Sequence, residues 1–404
     1  MSASRDSRTL LWAAAGAVVV GLLGFNTLPL LVGAVMDGLG FDERQAGLLG
    51  SMEIGAMAAA SLLLAPRVDV LSQRGVALVS VAVVAGAHLL SAFADGFALL
   101  MGMRLVAGIG EGCIYATANA VIAGSRDPDR LYARVTVVSA LVAAGLFVAI
   151  PYAIGVWAQR GAFGSLACVA VLCVPLLLWL PRSIATGTPG ELLGGGLLRG
   201  PSLMVLAAAF VLSVGQGAIW TFVERIGGHV GLSIDAIGVV LAVTTLAGIS
   251  GAVLAAWLGT RFGRTLPLTS GICAVAVSSV VLGYAATPVA YIGAELVYNT
   301  AYLFVSPFLL GTAAAVDARG RVAAATGGVV LVGAALGPAV AGVVVAWGSF
   351  PPLGWLVLGC CAVAILVILP LTLALDRAAG ESAPSRVPAS EPQRVSRSPG
   401  VERW

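Results

Sequence analysis

The chain alternates between long apolar runs and short polar segments. A membrane-spanning helix needs about 20 mainly apolar residues, and twelve runs meet that requirement. They cover residues 10–35, 45–66, 75–94, 97–124, 135–157, 162–181, 202–223, 236–258, 266–286, 288–314, 322–347 and 352–375. The first run is longer than a signal-peptide core, so we expect it to be retained as the first span. The pattern predicts an all-α membrane protein with twelve transmembrane helices.

Polar segments divide these runs into two groups of six. Residues 182–201 are rich in Gly, Pro and Thr, as is typical of a linker. We therefore expect an N-terminal bundle at 1–181, a cytoplasmic linker at 182–201 and a C-terminal bundle at 202–375. Residues 376–404 lack apolar periodicity, which predicts a disordered cytoplasmic tail.

The two groups of six are related by an internal repeat with an offset of 191 residues. The matched positions are Gly47 and Gly238, Arg104 and Glu295, and Arg130 and Arg321. No gap is needed between these matches. The repeat predicts two pseudo-symmetric six-helix bundles, an arrangement that transporters commonly use with the site between the halves.

Composition supports a membrane protein and excludes several functions. Hydrophobic residues make up 59% of the chain and charged residues 10%, against about 25% charged in soluble domains. The net charge of +3 comes from arginines scattered through short loops, which does not indicate nucleic-acid binding. The six cysteines and two histidines show no metal or haem spacing. We therefore expect no metal, no cofactor and no enzymatic activity.

The arginines also predict the orientation of the chain. If the N-terminus is cytoplasmic, the loops and tails on that side hold 18 arginines and the opposite side holds three. By the positive-inside rule both termini are cytoplasmic. The predicted location is the cytoplasmic (inner) membrane of a bacterium.

Few charges interrupt the spans. They are Glu53, Arg104, Glu111 and Glu295, with Glu224 at the edge of the seventh span. A charge inside a membrane is costly and usually faces a cavity or a partner. These residues are therefore the first candidates for a functional site.

Helical spacing places two of these charges on one face of the fourth span. Arg104, Gly108, Glu111 and Tyr115 recur at intervals of three or four residues. Glu295, Asn299 and Tyr302 form the equivalent stripe on the tenth span. We interpret these stripes as solute-binding or proton-carrying surfaces, the alternative being structural ion pairs.

Twelve spans, a central linker and an internal repeat resemble the major facilitator superfamily. Its Gly-x-x-x-Asp-Arg-x-Gly-Arg loop is divided here between the halves: Asp69 stands at the acidic position, while Arg261, Gly263 and Arg264 supply the remainder in the second half. The resemblance implies a gating role for these residues. A generic positively charged loop is the alternative, and we expect Arg261 and Arg264 to lie near the end of span eleven or span two.

The fourth-span motif, from Arg104 to Gly112, is similar to that of proton-coupled organic-anion symporters in the superfamily. The resemblance implies that Arg104 and Glu111 bind substrate or move protons. Asp127 and Arg130 resemble the charged loop of the family before span five, which implies a gate element. A solvated loop is the alternative.

Gly333, Gly337 and Pro338 give span eleven a small-residue, hinge-prone surface. Exporters of the superfamily carry a Gly-Pro motif of this kind in span five. Here span five offers only Gly145 and Pro151, in other positions. The sequence thus favours uptake slightly over export.

The resemblance also implies that spans one, four, seven and ten line a solute cavity. Asn26, Gln216 and Trp220 then join Arg104, Tyr115, Asn299 and Tyr302 as candidate lining residues. A lone Asn or Gln in a span is equally well explained by contacts between helices.

Three buried acids, Glu53, Glu111 and Glu295, share one buried cation, Arg104. The surplus carboxyls are expected to be protonated at rest or to exchange protons during transport, because burial disfavours the charged form. We expect Glu111 to carry the proton. For Arg104 three pairings remain open: a state-dependent gate with Glu295, a pair with Glu53 inside its own half, or a pair with Glu111 on its own helix.

These features predict a secondary active transporter that couples protons to a small organic solute by alternating access. Uptake of an organic anion is slightly preferred, because Arg104 offers a docking point. The alternatives are a proton-driven exporter of amphipathic compounds and a non-transporting sensor or assembly factor on the same fold. The expected partners are the solute, protons and the lipid bilayer, and the expected state is a monomer.

Overall fold

The computed structural model describes residues 2–68, 70–183, 200–317 and 321–381. Within these ranges thirteen α-helices follow one another: α1 (Ser2–Gly21), α2 (Leu23–Leu39), α3 (Glu43–Leu64), α4 (Gln73–Ser91), α5 (Phe97–Ala123), α6 (Pro128–Trp157), α7 (Gln159–Leu177), α8 (Gly200–His229), α9 (Ile234–Leu258), α10 (Thr265–Gly283), α11 (Pro288–Val316), α12 (Arg321–Val345) and α13 (Pro351–Glu381). No β-strand occurs in the described ranges.

Twelve spans are long and apolar enough to cross a membrane, as predicted. The first consists of two helices, α1 and α2, so α3 to α13 are spans two to twelve. We call the end of the molecule at residues 40–42 the outer end and the opposite end the inner end, following the predicted orientation. The orientation itself stays a prediction.

The helices form two bundles, α1–α7 and α8–α13, that meet along three helix pairs. These pairs are α3 with α12, α6 with α9, and α2 with α8. The repeat exchanges span two with eight and span five with eleven. It therefore relates the pair α3 and α12 to the pair α9 and α6. The interface between the bundles thus has the predicted pseudo-symmetry.

Repeat-related glycines make that interface close. A Cβ on Gly47 would overlap the carbonyl oxygen of Pro338 on α12, and a Cβ on Gly238 would overlap that of Phe147 on α6. The absence of a side chain lets the two backbones approach. The match between Gly47 and Gly238 in sequence is therefore a match in structural role.

The last helix extends beyond its expected boundary. α13 continues to Glu381, and Asp376 belongs to the C-terminal bundle rather than to a tail. Its carboxylate accepts hydrogen bonds from the backbone N–H groups of Arg264 (2.8 Å) and Thr265 (2.9 Å). The expectation that the tail begins at 376 was wrong, because Asp376 caps α10. Residues 382–404 and most of the predicted linker (184–199) lie outside the described residues.

Candidate functional site

The polar face of α5 lies inside the N-terminal bundle, against α3 and α4. Gly108 packs directly on the carbonyl of Glu53, with no space for a side chain between the two helices. This close approach brings Glu53 beside Arg104. Both side chains are buried, with 3% of Arg104 and 2% of Glu53 exposed.

Arg104 is bonded within its own half through both terminal nitrogens, while its Nε has no hydrogen-bond partner among the described residues. Its Nη1 donates to Glu53 Oε1 (2.8 Å) and lies 3.2 Å from Nδ1 of His88. Its Nη2 donates to Ser91 Oγ at 2.5 Å, and the guanidinium carbon lies 4.6 Å from the centre of the Phe163 ring. Three neighbouring helices, α3, α4 and α7, therefore hold this one cation.

His88 connects Arg104 to Glu111. A guanidinium has only N–H donors, so Nδ1 of His88 accepts and its proton resides on Nε2 when the ring is neutral. Nε2 lies 3.4 Å from Glu111 Oε1. This tautomer is assigned from the partner, and it aims an N–H group at the second carboxyl.

Glu111 is held by a break in the first span. Leu22 separates α1 from α2, and its backbone departs from helical geometry (φ −112°, ψ 12°). The N–H of Gly24, in the first turn of α2, donates to Glu111 Oε1 at 3.0 Å. The other oxygen, Oε2, accepts no hydrogen bond from the described residues. Glu111 thus accepts one described hydrogen bond, from the N–H of Gly24, and has no directly bonded cation.

The cluster of Glu53, His88, Arg104 and Glu111, which we call the N-half cluster, contains one permanent cation and two carboxyls. Because Arg104 bonds directly to Glu53, Glu111 is the surplus acid. Ligand atoms of Glu53, His88 and Glu111 lie within 4.8 Å of one another. The guanidinium of Arg104 already contacts Glu53 and His88. Because it supplies a positive charge there, the cluster is a poor metal site.

Glu295 lies apart from this cluster, on α11 in the C-terminal bundle. It is 1% exposed, and its Oε1 has no hydrogen-bond partner among the described residues. Since Arg104 pairs with Glu53, the expected pair between Arg104 and Glu295 was wrong for this state. The alternative, a pair inside the N-terminal half, is the one observed.

The candidate solute residues fall into two groups. Asn26, Tyr115, Gln216, Asn299 and Tyr302 are partly buried, while Arg104 and Trp220 are buried. Trp220 lies between the halves. Its Nε1 donates to the carbonyl of Phe25 (2.9 Å), and its ring meets Phe147 edge-on. Tyr298 and Tyr302 stack in parallel on α11. Arg104 is enclosed in this state and offers no free docking point for an anion.

Two of the expected gating residues, Arg264 and Arg261, contact other helices of the C-terminal bundle. Arg264 donates to the carbonyl of Gly311 on α11 (2.5 Å), which is span ten, and its backbone contacts Asp376 on α13, which is span twelve. Arg261 lies over the ring of Trp257. In this state the contacts of these arginines are with spans eight, ten and twelve, and their approach to span eleven or span two stays a prediction. Gly263 has φ 72°, as a tight turn requires.

The remaining gating candidates have local or interfacial contacts. Asp127 accepts from the N–H of Arg130 and caps α6. Gly333 and Gly337 pack α12 against α8 in the same bundle, and Pro338 packs on α3 in the other. Asp69 lies outside the described residues. A gating role for any of them stays a prediction.

Several residues in these contacts were missed from the sequence. His88 and Ser91 on α4 carry no spacing signal, and Gly24 has none that distinguishes it from other glycines in a span. A third omission is an ion pair across the halves at the outer end. Arg225 on α8 donates to Asp37 on α2 (2.9 and 2.5 Å), and its Nε lies 3.0 Å from Glu224.

Comparison with known proteins decides the family. Residues 13–327 match the sequence profile described as Major Facilitator Superfamily. The chain belongs to this superfamily. It is therefore a multi-pass membrane protein and a secondary transporter of a small solute, as its resemblance in sequence implied.

Individual relatives are more distant. The purine ribonucleoside efflux pump NepI of Shigella sonnei (strain Ss046) is 26% identical over 275 residues, covering 65% of this chain and 67% of that protein. A crystal structure of the nucleoside transporter NupG superposes with a TM-score of 0.71 at 14% identity, covering 91% of this chain and 98% of NupG. A structure described under substrate recognition in proton dependent oligopeptide transporters gives 0.72 at 14%, covering 92% of this chain and 100% of that one. Both structures establish the superfamily fold.

Proposed function

We propose that the protein couples proton movement to the transport of a nucleoside-like solute, with Glu111 carrying the proton. The observation that supports this most directly is the N-half cluster, in which one guanidinium serves two buried carboxyls. Glu53 takes the cation, and Glu111 is left with the N–H of Gly24 and the nearby ring of His88. A buried carboxyl in this setting can take up a proton without breaking an ion pair, whereas protonation of Glu53 would leave Arg104 unpaired.

The solute class is inferred from the state of Arg104 and from the relatives. Arg104 is neutralised by Glu53 and enclosed, which removes the reason for preferring an organic anion. The aromatic and amide side chains of Trp220, Gln216, Asn299 and Tyr302 suit a neutral solute with a flat ring and hydrogen-bonding groups. NepI is named as a purine ribonucleoside pump, and NupG as a nucleoside transporter.

The direction we propose is export by exchange with protons, across the cytoplasmic membrane of a bacterium and with both termini inside. NepI is named as an efflux pump, and the arginine distribution supports the orientation. The proton gradient across such a membrane points inward. Exchange would therefore drive the solute outward.

Flux into proteoliposomes tests this proposal. We expect the full chain, in vesicles that are acidic inside, to accumulate a labelled purine ribonucleoside by up to about tenfold for each unit of pH gradient if one proton exchanges for one solute. Protein-free vesicles and an organic anion of similar size are the controls. Accumulation of the anion instead, or of neither solute, would contradict the proposed function. Accumulation only in vesicles that are alkaline inside would show symport and contradict export.

A further inference from the structure

Helix α2 touches both the N-half cluster and the opposite bundle. It begins at the break after Leu22 and ends at Leu39, at the outer end. Its first turn lies against Glu53 and Glu111, and its later turns lie against α8. Helix α3, which carries Glu53, also bonds across the halves, since the N–H of Ala339 on α12 donates to Ser51 Oγ (2.8 Å), but α2 is the element that donates to Glu111.

At its start, α2 is fitted tightly to the two carboxyls. The Gly24 N–H donates to Glu111 Oε1, and a Cβ on Gly24 would lie 2.5 Å from Glu53 Oε1 and 3.0 Å from Glu111 Oε1. The backbone of α2 therefore rests directly on the proton site. A movement of either carboxyl displaces this turn.

Farther along, α2 holds α8 of the other half with three of its residues. The carbonyl of Phe25 accepts from Trp220 Nε1 (2.9 Å), and the carbonyl of Gly33 accepts from Arg225 Nη2 (2.9 Å). Asp37 binds the same guanidinium with both oxygens. A bidentate pair of this kind fixes orientation as well as distance, so a shift of α2 changes the contact between halves.

We propose that α2 transmits the protonation state of Glu111 to the outer contact between the two halves, with Gly24 as the positioning residue. This inference rests on the proposed role of Glu111. A carboxylate accepts the Gly24 N–H more strongly than a neutral carboxyl does. Ionised Glu111 holds α2 where Gly33 and Asp37 bind Arg225. Protonation loosens the first turn of α2, and the outer contact opens.

The surroundings of Glu111 are consistent with a local trigger. The charged or titratable groups that face it are Glu53 on α3, His88 on α4 and Arg104 on its own helix. Between Thr9 and Gly21, α1 offers no titratable side chain. Tyr132 on α6 interacts with Tyr115 instead. On α2 itself the charged residue is Asp37, at the far end.

Spin-label distances across the outer end test the inference. Labels are placed at Asp95→Cys and Ala286→Cys, which are exposed outer loops of the two halves. The six native cysteines are replaced by alanine in the full chain in lipid nanodiscs, without solute. We expect acidification to lengthen the distance and to change the ratio of closed to open populations by about tenfold, the effect of one charge-assisted hydrogen bond becoming neutral.

Gly24→Ala should remove this pH response, because the new methyl group displaces both carboxyls. Gly102→Ala is the matched control: a Cβ there meets nothing within 4 Å, and we expect the response of the parent. Asp37→Asn changes an exposed side chain (70% accessible) and should leave the outer end open at both pH values. If Gly24→Ala does not fold, the Asp37→Asn variant tests the inference in its place.

The inference is overturned if the label distance in the parent does not change with pH. It is also overturned if Gly24→Ala responds to pH as the parent does, or if the outer end of Asp37→Asn is closed as in the parent. These outcomes are separate from the proposed function, because the distances are measured without solute. Proton-driven flux together with a pH-independent label distance would reject the transmitting role of α2 but not the proposed function. A pH-dependent distance without proton-driven flux would reject the proposed function alone.

Discussion

Glu111→Gln is expected to abolish accumulation of solute driven by a pH gradient, reducing it from about tenfold per pH unit to no enrichment. Glutamine keeps an oxygen that accepts from the N–H of Gly24, so the break in the first span is retained. A glutamine side chain cannot carry a proton, so the solute should only equilibrate across the membrane. Counterflow exchange, which needs no net proton movement, should continue. The measurement is paired accumulation and counterflow assays in the same proteoliposomes.

The matched control for this prediction is Glu295→Gln. Glu295 is equally buried but lies in the other bundle, away from the N-half cluster. We expect this variant to retain most of its accumulation. The reverse result, with accumulation lost in Glu295→Gln and retained in Glu111→Gln, would move the proton-carrying role to the C-terminal half.

Neutralising either member of the pair between Arg104 and Glu53 is expected to destabilise the protein by about 3–5 kcal/mol, because the partner is left buried and uncompensated. The double variant Arg104→Gln with Glu53→Gln should lose less than the sum of the two singles. Equilibrium unfolding of the purified chain in mixed micelles measures all four corners of the cycle. Arg104→Lys should lie between parent and Arg104→Gln, because an ammonium cannot reproduce the planar contacts to Glu53, His88 and Ser91.

A second cycle, between Arg104 and Glu295, is the control for this pair. The two residues belong to different bundles, so their effects on unfolding should add within about 0.5 kcal/mol. Strong coupling of Arg104 to Glu295, with none to Glu53, would restore the gate that the sequence suggested.

The membrane architecture could be predicted from the sequence because the bilayer imposes it locally. Apolar runs of sufficient length form spanning helices whatever their neighbours are. The repeat added information about contacts, since Gly47 and Gly238 mark close approaches that a pseudo-symmetric interface requires twice. The superfamily followed from the same features.

The partners within the site could not be predicted, because they depend on how helices rotate against one another. The sequence places Glu53 and Glu295 at a similar depth in the membrane with the same charge, so either could have paired with Arg104. Arg104 pairs with Glu53 because Gly108 has no side chain and lets α3 approach α5. His88 has no motif around it. The break at Leu22 carries no proline, and the N–H of Gly24 that follows it donates to Glu111, 87 residues away.

The most direct test of proton coupling through Glu111 is the pH inside proteoliposomes, followed with a trapped dye after a nucleoside pulse without an imposed gradient. We expect the interior to become alkaline in the parent, because each entering solute exchanges for a departing proton, and to remain unchanged in Glu111→Gln although exchange persists. Solute entry without any pH change in the parent, or an unaltered pH change in Glu111→Gln, would contradict that claim.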